Sequence, residues 1–288
     1  MARTNAISLL AGTSTPATLA ELYGLVIENV QKSALSVGLK SNSYTGNPAV
    51  GSVEYKRFVN SEAKTYGTAR TAGKGDKVTV PPITVNLDQH KEIVEEIAKR
   101  DIEQFGVTGI MQRRADNHVM TMASDLDRAF FSAGFTAATA VTPASGATLQ
   151  DTLEAMIQTL ETLHNDYVDG VDRELMDLVL SPAKYGAMRS FLDMQSNPNV
   201  DTAAEAFGMW HGVRVYSCTR FPSLTNETAD ALLMPRGAIA QPVVSDQYSE
   251  PEKIQLSNDM AVSLFYDYGT TVLTPDMCFK LTTKTSGD

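Results

Sequence analysis

Apolar residues alternate with polar ones in two runs near the start of the chain. The first run contains Val53, Tyr55, Phe58 and Val59, and the second contains Val78, Val80, Ile83, Val85 and Leu87. This pattern predicts two strands, and the polar, glycine-containing residues 60–76 between them predict a hairpin with a long tip. Because a two-stranded ribbon by itself is marginal in water, we expect the hairpin to lie on another surface.

Residues 1–50 are rich in Ser, Thr, Gly and Asn but contain one apolar stripe at helical spacing. The stripe consists of Leu19, Leu22, Tyr23, Val26, Ile27 and Val30. Pro16 and Thr18 near its start are typical of helix entries. This segment is therefore predicted to be an arm with one amphipathic helix, which needs a partner surface to bury its stripe.

Two helices are predicted to follow the hairpin. The first would run from Asp88 as its N-cap through Gln104, supported by the i,i+4 ion pairs Glu95–Lys99 and Glu96–Arg100. Its apolar side would consist of Ile93, Val94, Ile97 and Ile102. The second is a long helix over Val107–Ala133, with Gly134 as its C-terminal signal.

The second half of the chain alternates helices and strands without a strict βαβ rhythm. Thr148 with Asp151 three residues later predicts a capped helix, Leu178–Leu180 a buried strand, and Ser181-Pro182 a helix through Leu192. The other predicted elements are a loop and candidate hinge at Thr136–Gly146, a short helix at Thr202–Phe207, and strands at Val213–Cys218, Ala231–Met234, Lys253–Leu256, Val262–Tyr268, Thr271–Leu273 and Cys278–Leu281. This order predicts an α+β fold.

The composition is that of a globular protein with an excess of acids. The 288 residues include 34 acids and 24 bases, a net charge of −10. Because phosphate contacts need clustered Lys and Arg, this balance argues against a dedicated nucleic-acid-binding surface. Cys218 and Cys278 do not make a disulfide framework and are expected to be small buried apolar residues, which favours a reducing cytoplasm.

No membrane or export segment is predicted. No apolar run approaches the ~18–20 residues of a membrane span. The apolar stretch Ile7–Ala11 also falls short of the ~7–15 residues in the core of a signal peptide.

The sequence contains one partial match to a phosphate-binding loop, Gly67–Gly75. Five residues separate its first two glycines where four are needed, and Gly75 replaces the hydroxyl residue that would follow Lys74. The segment also leads towards a strand, whereas a phosphate-binding loop opens a helix. We therefore interpret it as a flexible, cationic hairpin tip.

Other reactive constellations are absent from the sequence. The histidines, His90, His118, His164 and His211, do not have metal-ligand spacing. Asp125 and Asp127 lie two residues apart on a predicted helix and point to different faces, which favours a solvated surface over a carboxylate pair. We predict no catalytic, cofactor-binding or metal-binding residue.

The order of these segments resembles that of tailed-bacteriophage major capsid proteins with the Hong Kong 97-type fold. Residues 1–50 resemble the N-terminal arm of that family, Ser52–Leu87 its extended E-loop hairpin, and Asp88–Gly134 the run into its long spine helix. The segments that resemble the axial domain and the closing strand are Leu178–Tyr185, Gly208–Tyr216 with Phe221-Pro222, and Asp267–Pro275. The resemblance covers nearly the whole chain through the order of its segments, because the family has no short invariant motif.

The resemblance implies an α+β, Hong Kong 97-type capsid fold in five parts. These are an N-terminal arm (1–50), an E-loop β-hairpin (51–87), a peripheral domain with a spine helix (88–177), an axial domain (178–250), and return strands of the peripheral domain with the C-terminus (251–288). The implied function is structural, not enzymatic and without a cofactor: pentamers and hexamers of an icosahedral phage head enclose double-stranded DNA without sequence-specific binding. The implied location is the virion shell, assembled in the host bacterial cytoplasm without a membrane, with a portal and scaffolding or decoration proteins as further partners.

The resemblance also implies which residues contact neighbouring subunits. The candidates are Lys64, Tyr66, Arg70, Lys74 and Lys77 in the E-loop and Leu22 and Val26 in the arm. One family member cross-links its subunits through an E-loop Lys and a peripheral-domain Asn, assisted by a Glu. By spacing from Pro275, Asn258 falls near the Asn position but Phe265 falls where the acid would be, so no self-cross-linking is expected. Arm-like residues begin almost at Met1, so a separate scaffolding protein, or none, is expected.

Two alternatives stay open on the sequence alone. An encapsulin-type compartment or a gene-transfer particle would use the same fold, and co-purified DNA as against a cargo enzyme would separate them. A soluble enzyme with an unrecognised site would instead be a monomeric particle with a single ligand-bound cleft.

Overall fold

The structure is a computed structural model that describes residues 28–44, 47–68, 71, 75–99, 107–194, 208–245, 252–253 and 259–284. Its main helices are Leu35–Leu39 (α1), Val107–Ala137 (α2), Leu149–Glu161 (α3) and Pro182–Met194 (α4). Its strands are Ser52–Lys56 (β1), Pro82–Asn86 (β2), Gln89–Ile97 (β3), Thr139–Ala140 (β4), His164–Asn165 (β5), Val168–Asp169 (β6), Met176–Leu180 (β7), Met209–Trp210 (β8), Val213–Ser217 (β9), Glu227–Pro235 (β10), Ile239–Ala240 (β11), Val243–Ser245 (β12), Glu252–Lys253 (β13), Met260–Tyr268 (β14), Thr271–Val272 (β15) and Phe279–Lys284 (β16).

Two sheets organise the chain. The larger has the strand order β4-β16-β10-β7-β9-β8, with parallel pairing only between β16 and β4 and between β7 and β9. In the smaller sheet, β14 pairs with β3 over nine residues and with β12 and β13 at its two ends. This mixture of helices with largely antiparallel sheets is the predicted α+β architecture.

The main core lies between the larger sheet and the helices α3 and α4. All five residues of β7 are buried, and Met176, Leu178 and Leu180 pack with Leu153, Met156, Ile157 and Leu160 of α3. The predicted cap of α3 is present as a capping box, in which the Thr148 hydroxyl and the Asp151 carboxylate each bond the other residue's backbone N–H. Local patterns therefore gave the correct type for these elements.

The long helix α2 is confirmed but extends past its predicted end at Ala133. Gly134 does not end the helix: it lies inside it, where a Cβ would come within 3.0 Å of Leu232 and Ile239 side-chain atoms. The glycine therefore allows close packing of α2 against Leu232 of the larger sheet and Ile239 of β11 and does not form a cap. The Lys280 ammonium donates to the Phe135 carbonyl (2.6 Å), which places a cation at the true helix end.

The helix predicted from Asp88 to Gln104 is wrong, because residues 89–97 form strand β3. Burial alternates along it, with Lys91, Ile93, Glu95 and Ile97 facing inward and the residues between them exposed. The i,i+4 charge pairs contribute only ~0.3–0.5 kcal/mol each to a helix. Nine residues of pairing with β14 outweigh that preference, and β14 lies some 170 residues away in the sequence.

The predicted loop at Thr136–Gly146 also needs correction. Its first two residues end α2, and Thr139–Ala140 form β4, which pairs with β16, so only the remainder is irregular. The strands predicted from Val213 to Leu281 lie within or overlap β9, β10, β13, β14, β15 and β16. The short helix predicted at Thr202–Phe207 lies outside the described residues. Cys218 and Cys278 are buried free thiols, as predicted.

The two strands of the hairpin are shorter than predicted, and the side chains at its base are buried against the body of the same chain. Its strands β1 and β2 pair with Val53 opposite Val85. Val53, Tyr55 and Val85 pack with Ala240 and Leu273 of the body. The expectation that the hairpin must find a surface elsewhere therefore applies only to residues 57–81, which we call the tip segment.

Candidate functional site

The tip segment exposes apolar and basic side chains together. Tyr66 is 88 % exposed, Val78 76 % and Phe58 62 %. The Lys64 ammonium lies 2.6 Å from the Asp76 carboxylate, and both side chains are largely exposed. Large exposed apolar side chains within one segment, beside charged ones, favour a surface that another molecule covers.

The predicted contact residues fall into two groups in the structure. Lys64, Tyr66 and Lys77 are all exposed on the tip segment. The others, Arg70, Lys74, Leu22 and Val26, lie outside the described residues. No contact with a second subunit has been observed for any of them, so their role stays a prediction.

The root of the tip segment is held to the body by a cluster that sequence reasoning missed. The Arg57 guanidinium donates two hydrogen bonds to the Asp276 carboxylate, at 2.7 and 2.8 Å, and lies 4.1 Å from the centre of the Tyr167 ring. The Asn165 amide donates to the same carboxylate at 2.6 Å. Burial by itself would raise the pKa of Asp276, but the bonds from Arg57 and Asn165 outweigh it and lower that pKa.

The outward face of the smaller sheet is the second exposed surface with a mixed character. Phe265 (41 % exposed) lies opposite Glu92, and Val94 (55 % exposed) lies opposite Ser263. Because directly paired residues share a face of the sheet, Glu92 lies beside this apolar pair. Further along the same face, the Asp267 carboxylate lies 2.8 Å from His90 Nδ1. The face is therefore apolar at its centre and acidic around it.

The inward face of that sheet is tied to α2 by charge. Glu95 of β3 forms an ion pair with Arg114, and its Oε2 lies 3.1 Å from His118 Nε2. The hydrogen bonds from Arg114 lead the causes that lower the pKa of Glu95, against the opposing effect of burial. The inward face of the smaller sheet thus covers α2, and its outward face, which is apolar at the centre and acidic around it, stays exposed.

Asp127 is not on a solvated surface, contrary to the prediction. Its carboxylate is buried, lies 2.6 Å from Arg220 Nη1, and accepts hydrogen bonds from the backbone N–H groups of Leu35 (3.2 Å) and Ser36 (2.9 Å). Asp125, two residues earlier, instead accepts from the Tyr266 hydroxyl at 3.1 Å. The two carboxylates have separate partners, so they do not form a catalytic pair, and Asp127 fixes the arm residues to α2.

A third polar cluster joins α3 to the turn between β8 and β9. Arg173 bonds both Glu154 and Glu161 at 2.8 Å, and His211 Nδ1 lies 2.7 Å from Glu154. His211 and Gly212 both have positive φ, and Trp210 stacks on the His211 ring, so the chain makes a tight turn there. Hydrogen bonds from Arg173 above all, then from His211, lower the pKa of Glu154 to about 2 against the opposing effect of burial.

This cluster predicts a loss of stability in acid. Because the pKa of Glu154 is lower in the folded chain than its ordinary 4.5, its contribution is complete above pH ~4.5 and is lost as the pH falls towards 2. After solvent screening we expect about 1 to 2 kcal/mol. Urea unfolding between pH 5 and 2.5 should therefore show a smaller decline for Glu154→Gln than for the wild type. The exposed Glu174→Gln variant is the control, and a wild-type decline in Glu154→Gln would contradict the assignment.

The described ranges contain neither a metal-binding cluster nor a membrane-spanning helix. No group of three His, Cys, Asp or Glu residues there could hold a metal ion. In the same part of the chain, no helix is long and apolar enough to cross a membrane. Of the positions considered for cross-linking, Phe265 is an exposed aromatic residue rather than an acid, and Asn258 lies outside the described residues.

Comparison with known proteins places the chain in a family. The sequence model of a phage capsid protein family, Phage_capsid_4, matches residues 92–281, about two thirds of the chain. No curated protein matches the sequence.

Solved structures that share the fold come from viral and related particles. A structure of Mycobacterium phage Che8 has a TM-score of 0.58 at 16% identity, covering 84% of this chain and 93% of that one. The capsid of cyanophage P-SCSP1u has a TM-score of 0.61 at 13% identity, covering 88% and 89%. The capsid of a native GTA particle has a TM-score of 0.59 at 14% identity, covering 88% and 90%. At these identities the likeness establishes the fold.

Proposed function

This chain belongs to the phage capsid protein family and has the Hong Kong 97-type fold, and on that premise we propose that its copies form the pentamers and hexamers of an icosahedral phage head around double-stranded DNA. It is a structural component of a virion shell. The observation that carries the finer proposal is the tip segment, on which the large side chains of Phe58, Tyr66 and Val78 are mostly exposed in a single copy. Shells need repeated contacts between unlike surfaces, and extended loops supply them.

The tip segment is proposed to contact the outward face of the smaller sheet in a neighbouring copy. The tip carries the cations Lys64 and Lys77 beside apolar groups, and the sheet face carries Glu92 and Asp267 beside Phe265 and Val94. Opposite charge around matched apolar centres favours one register of contact over others. The same role is proposed for the other predicted contact residues, Arg70, Lys74, Leu22 and Val26.

The division into an arm (1–50), hairpin (51–87), peripheral domain (88–177), axial domain (178–250) and return segment (251–288) is also proposed. The smaller sheet with α2 supports the peripheral domain, and the larger sheet with α4 supports the axial one, while α3, within 88–177, packs against the larger sheet. The strand pairings add two details: β12, before residue 250, pairs with β14, and β16, after it, lies in the larger sheet. The two proposed domains therefore exchange strands near the end of the chain.

The remaining partners follow from the same proposal. A net charge of −10 suits a container that holds DNA without gripping its sequence. A portal, with or without scaffolding and decoration proteins, would complete the particle, which would assemble in the host cytoplasm. The fold shared with a GTA capsid supports one second candidate, a gene-transfer particle, and co-purified host rather than phage DNA would distinguish it.

The test is electron microscopy with sedimentation velocity on the purified chain. We expect rings, tubes or closed shells from the wild type, and loss of large particles in the double variant Lys64→Glu/Lys77→Glu, because reversed charge would repel the acidic face. The double variant Lys64→Arg/Lys77→Arg keeps the charge and should assemble normally. A homogeneous monomer or dimer at high concentration, with a scaffold candidate added, would contradict the proposal and favour an enzyme.

A further inference from the structure

The root of the tip segment is joined to the body by four side chains from three separate places in the fold. Arg57 directly follows β1, Asn165 and Tyr167 lie in the turn region of the β5–β6 hairpin, and Asp276 lies in the 3₁₀ turn Pro275–Met277 that precedes β16. We call these four residues the root clamp. Its ion pair joins residues 219 positions apart in the sequence.

The root clamp has the geometry of a rigid joint. Two parallel N–H···O bonds fix the plane of the Arg57 guanidinium against the Asp276 carboxylate, and the Tyr167 ring covers the guanidinium. Arg57 is only 17% exposed and Asp276 30%, so solvent screens this pair less than a surface ion pair. Asn165 connects the Asp276 carboxylate to the turn that carries Tyr167. Its Nδ2 donates to Asp276, and its Oδ1 accepts from the backbone N–H groups of Tyr167 and Val168 at 2.9 Å.

Beyond the clamp, the chain leaves the body after one further contact. The Asn60 N–H donates to the Asp166 carbonyl at 2.8 Å, and the Val59 N–H donates to Thr79 across the two legs of the tip. An open groove of ≈ 520 Å³ lies along these legs, lined also by Asn165 and Asp166. The described residues past Asn60 are exposed, apart from the half-buried Gly67, up to Thr79. The direction of the tip is therefore set at the root.

The length of the tip amplifies any change at its root. Extended chain covers about 3.3 Å per residue, so the residues from Asn60 to Tyr66 can reach about 20 Å, and a rotation of ~10° at the root would move the end by ~3.5 Å. A shift of that size exceeds what a packed contact between subunits tolerates.

We propose that the Arg57–Asp276–Asn165–Tyr167 clamp is the positioning site that sets the angle of the hairpin tip, and through it the curvature and diameter of the shell. The inference rests on the proposed assembly function but assigns the choice of shell size to residues at the root of the tip rather than to those proposed above to contact the neighbouring subunit. These residues act by holding the tip in one direction.

Two variants and a matched control test this proposal. Asp276→Asn removes the charge with little change of shape, and Arg57→Gln removes the cation. Arg57→Lys keeps the charge but loses the two-point contact and stacking, so it provides a folded variant if Arg57→Gln does not fold. Asp193→Asn, which breaks the ion pair Arg189–Asp193 on α4, is the control for loss of an ion pair elsewhere.

Two measurements keep this proposal separable from the assembly function. On dissociated subunits, amide hydrogen exchange at residues 57–60 should be about tenfold faster in the clamp variants, with exchange in α3 unchanged. On assembled particles, electron microscopy should show a broader range of diameters or open sheets, and the control should match the wild type. Uniform shells of wild-type diameter from Asp276→Asn and Arg57→Lys would overturn the proposal. Failure of the wild type to assemble would overturn the proposed function. Independently of assembly, wild-type exchange rates at residues 57–60 in the free clamp variants would overturn the proposal that the clamp positions the tip.

Discussion

Replacing Gly269 by alanine should prevent the chain from folding to a stable subunit. A Cβ at this buried position would lie 1.9 Å from the Asn86 carbonyl oxygen and 2.8 Å from its carbon, far inside the ~3.5–4 Å of an ordinary contact. Both partners are backbone, at the point where β14 ends beside the end of the hairpin strand β2, so neither can rotate away. We expect a loss of more than about 4 kcal/mol in the free energy of unfolding, a large part of the stability of a typical domain.

Gly186→Ala provides the matched control for Gly269→Ala. Gly186 lies inside α4 with no atom within 4 Å of its potential Cβ. Because glycine is unfavourable in a helix interior, alanine there should be neutral or stabilise by up to ~1 kcal/mol. Soluble yield and the urea midpoint measure both variants. A Gly269→Ala subunit with the wild-type midpoint would show that the hairpin base and β14 do not pack as the structure has them.

Replacing Asp127 by alanine should release the arm from α2 and destabilise the subunit by about 3 kcal/mol. The change leaves Arg220 without its carboxylate and removes the acceptor of two backbone N–H groups at the start of α1. Breaking a buried ion pair by removing one partner costs more than the pair contributes, because the remaining charge stays partly desolvated. Urea unfolding measures the free energy, and hydrogen exchange should show lost protection at residues 34–40.

Asp125→Ala is the control for the Asp127 variant, since it removes a carboxylate two residues away on the same helix. Asp125 accepts from the Tyr266 hydroxyl, whereas the hydrogen bonds from Arg220 and from the Leu35 and Ser36 backbone go to Asp127. We expect a loss of about 1 kcal/mol and unchanged protection of the arm. Equal effects of the two substitutions would argue against a specific role of Asp127 in fixing the arm.

The sequence predicted those elements whose signals are local. The capping box of Thr148 and Asp151, the buried run at Leu178–Leu180 and the Ser181-Pro182 helix start each need only a few neighbouring residues. The long helix α2 followed from its length and periodicity. The order of these elements was enough to indicate the capsid fold, which the family match then established. The identity of the residues that contact neighbouring subunits stays a prediction.

The wrong predictions have one physical cause, which is that residues far away in the sequence decided the local structure. The charge pattern of residues 89–97 favoured a helix, but β14 supplied nine residues of pairing. Gly134 suggested a helix end, but α2 continues past it and packs closely there on the side chains of Leu232 and Ile239. Neither β14 nor the side chains at 232 and 239 can be located from the local sequence.

The sequence by itself determined the type of the elements with local signals, such as α2, α3, β7 and α4, and their order indicated the α+β capsid fold. Only the tertiary structure decided that Asp127 is buried, that Gly269 must have no side chain, and that Arg57 meets Asp276 at the root of the tip. The reason is that hydrophobic periodicity shows which side chains face the interior of the protein. Which residues cover them depends on segments up to about 200 positions away in the sequence.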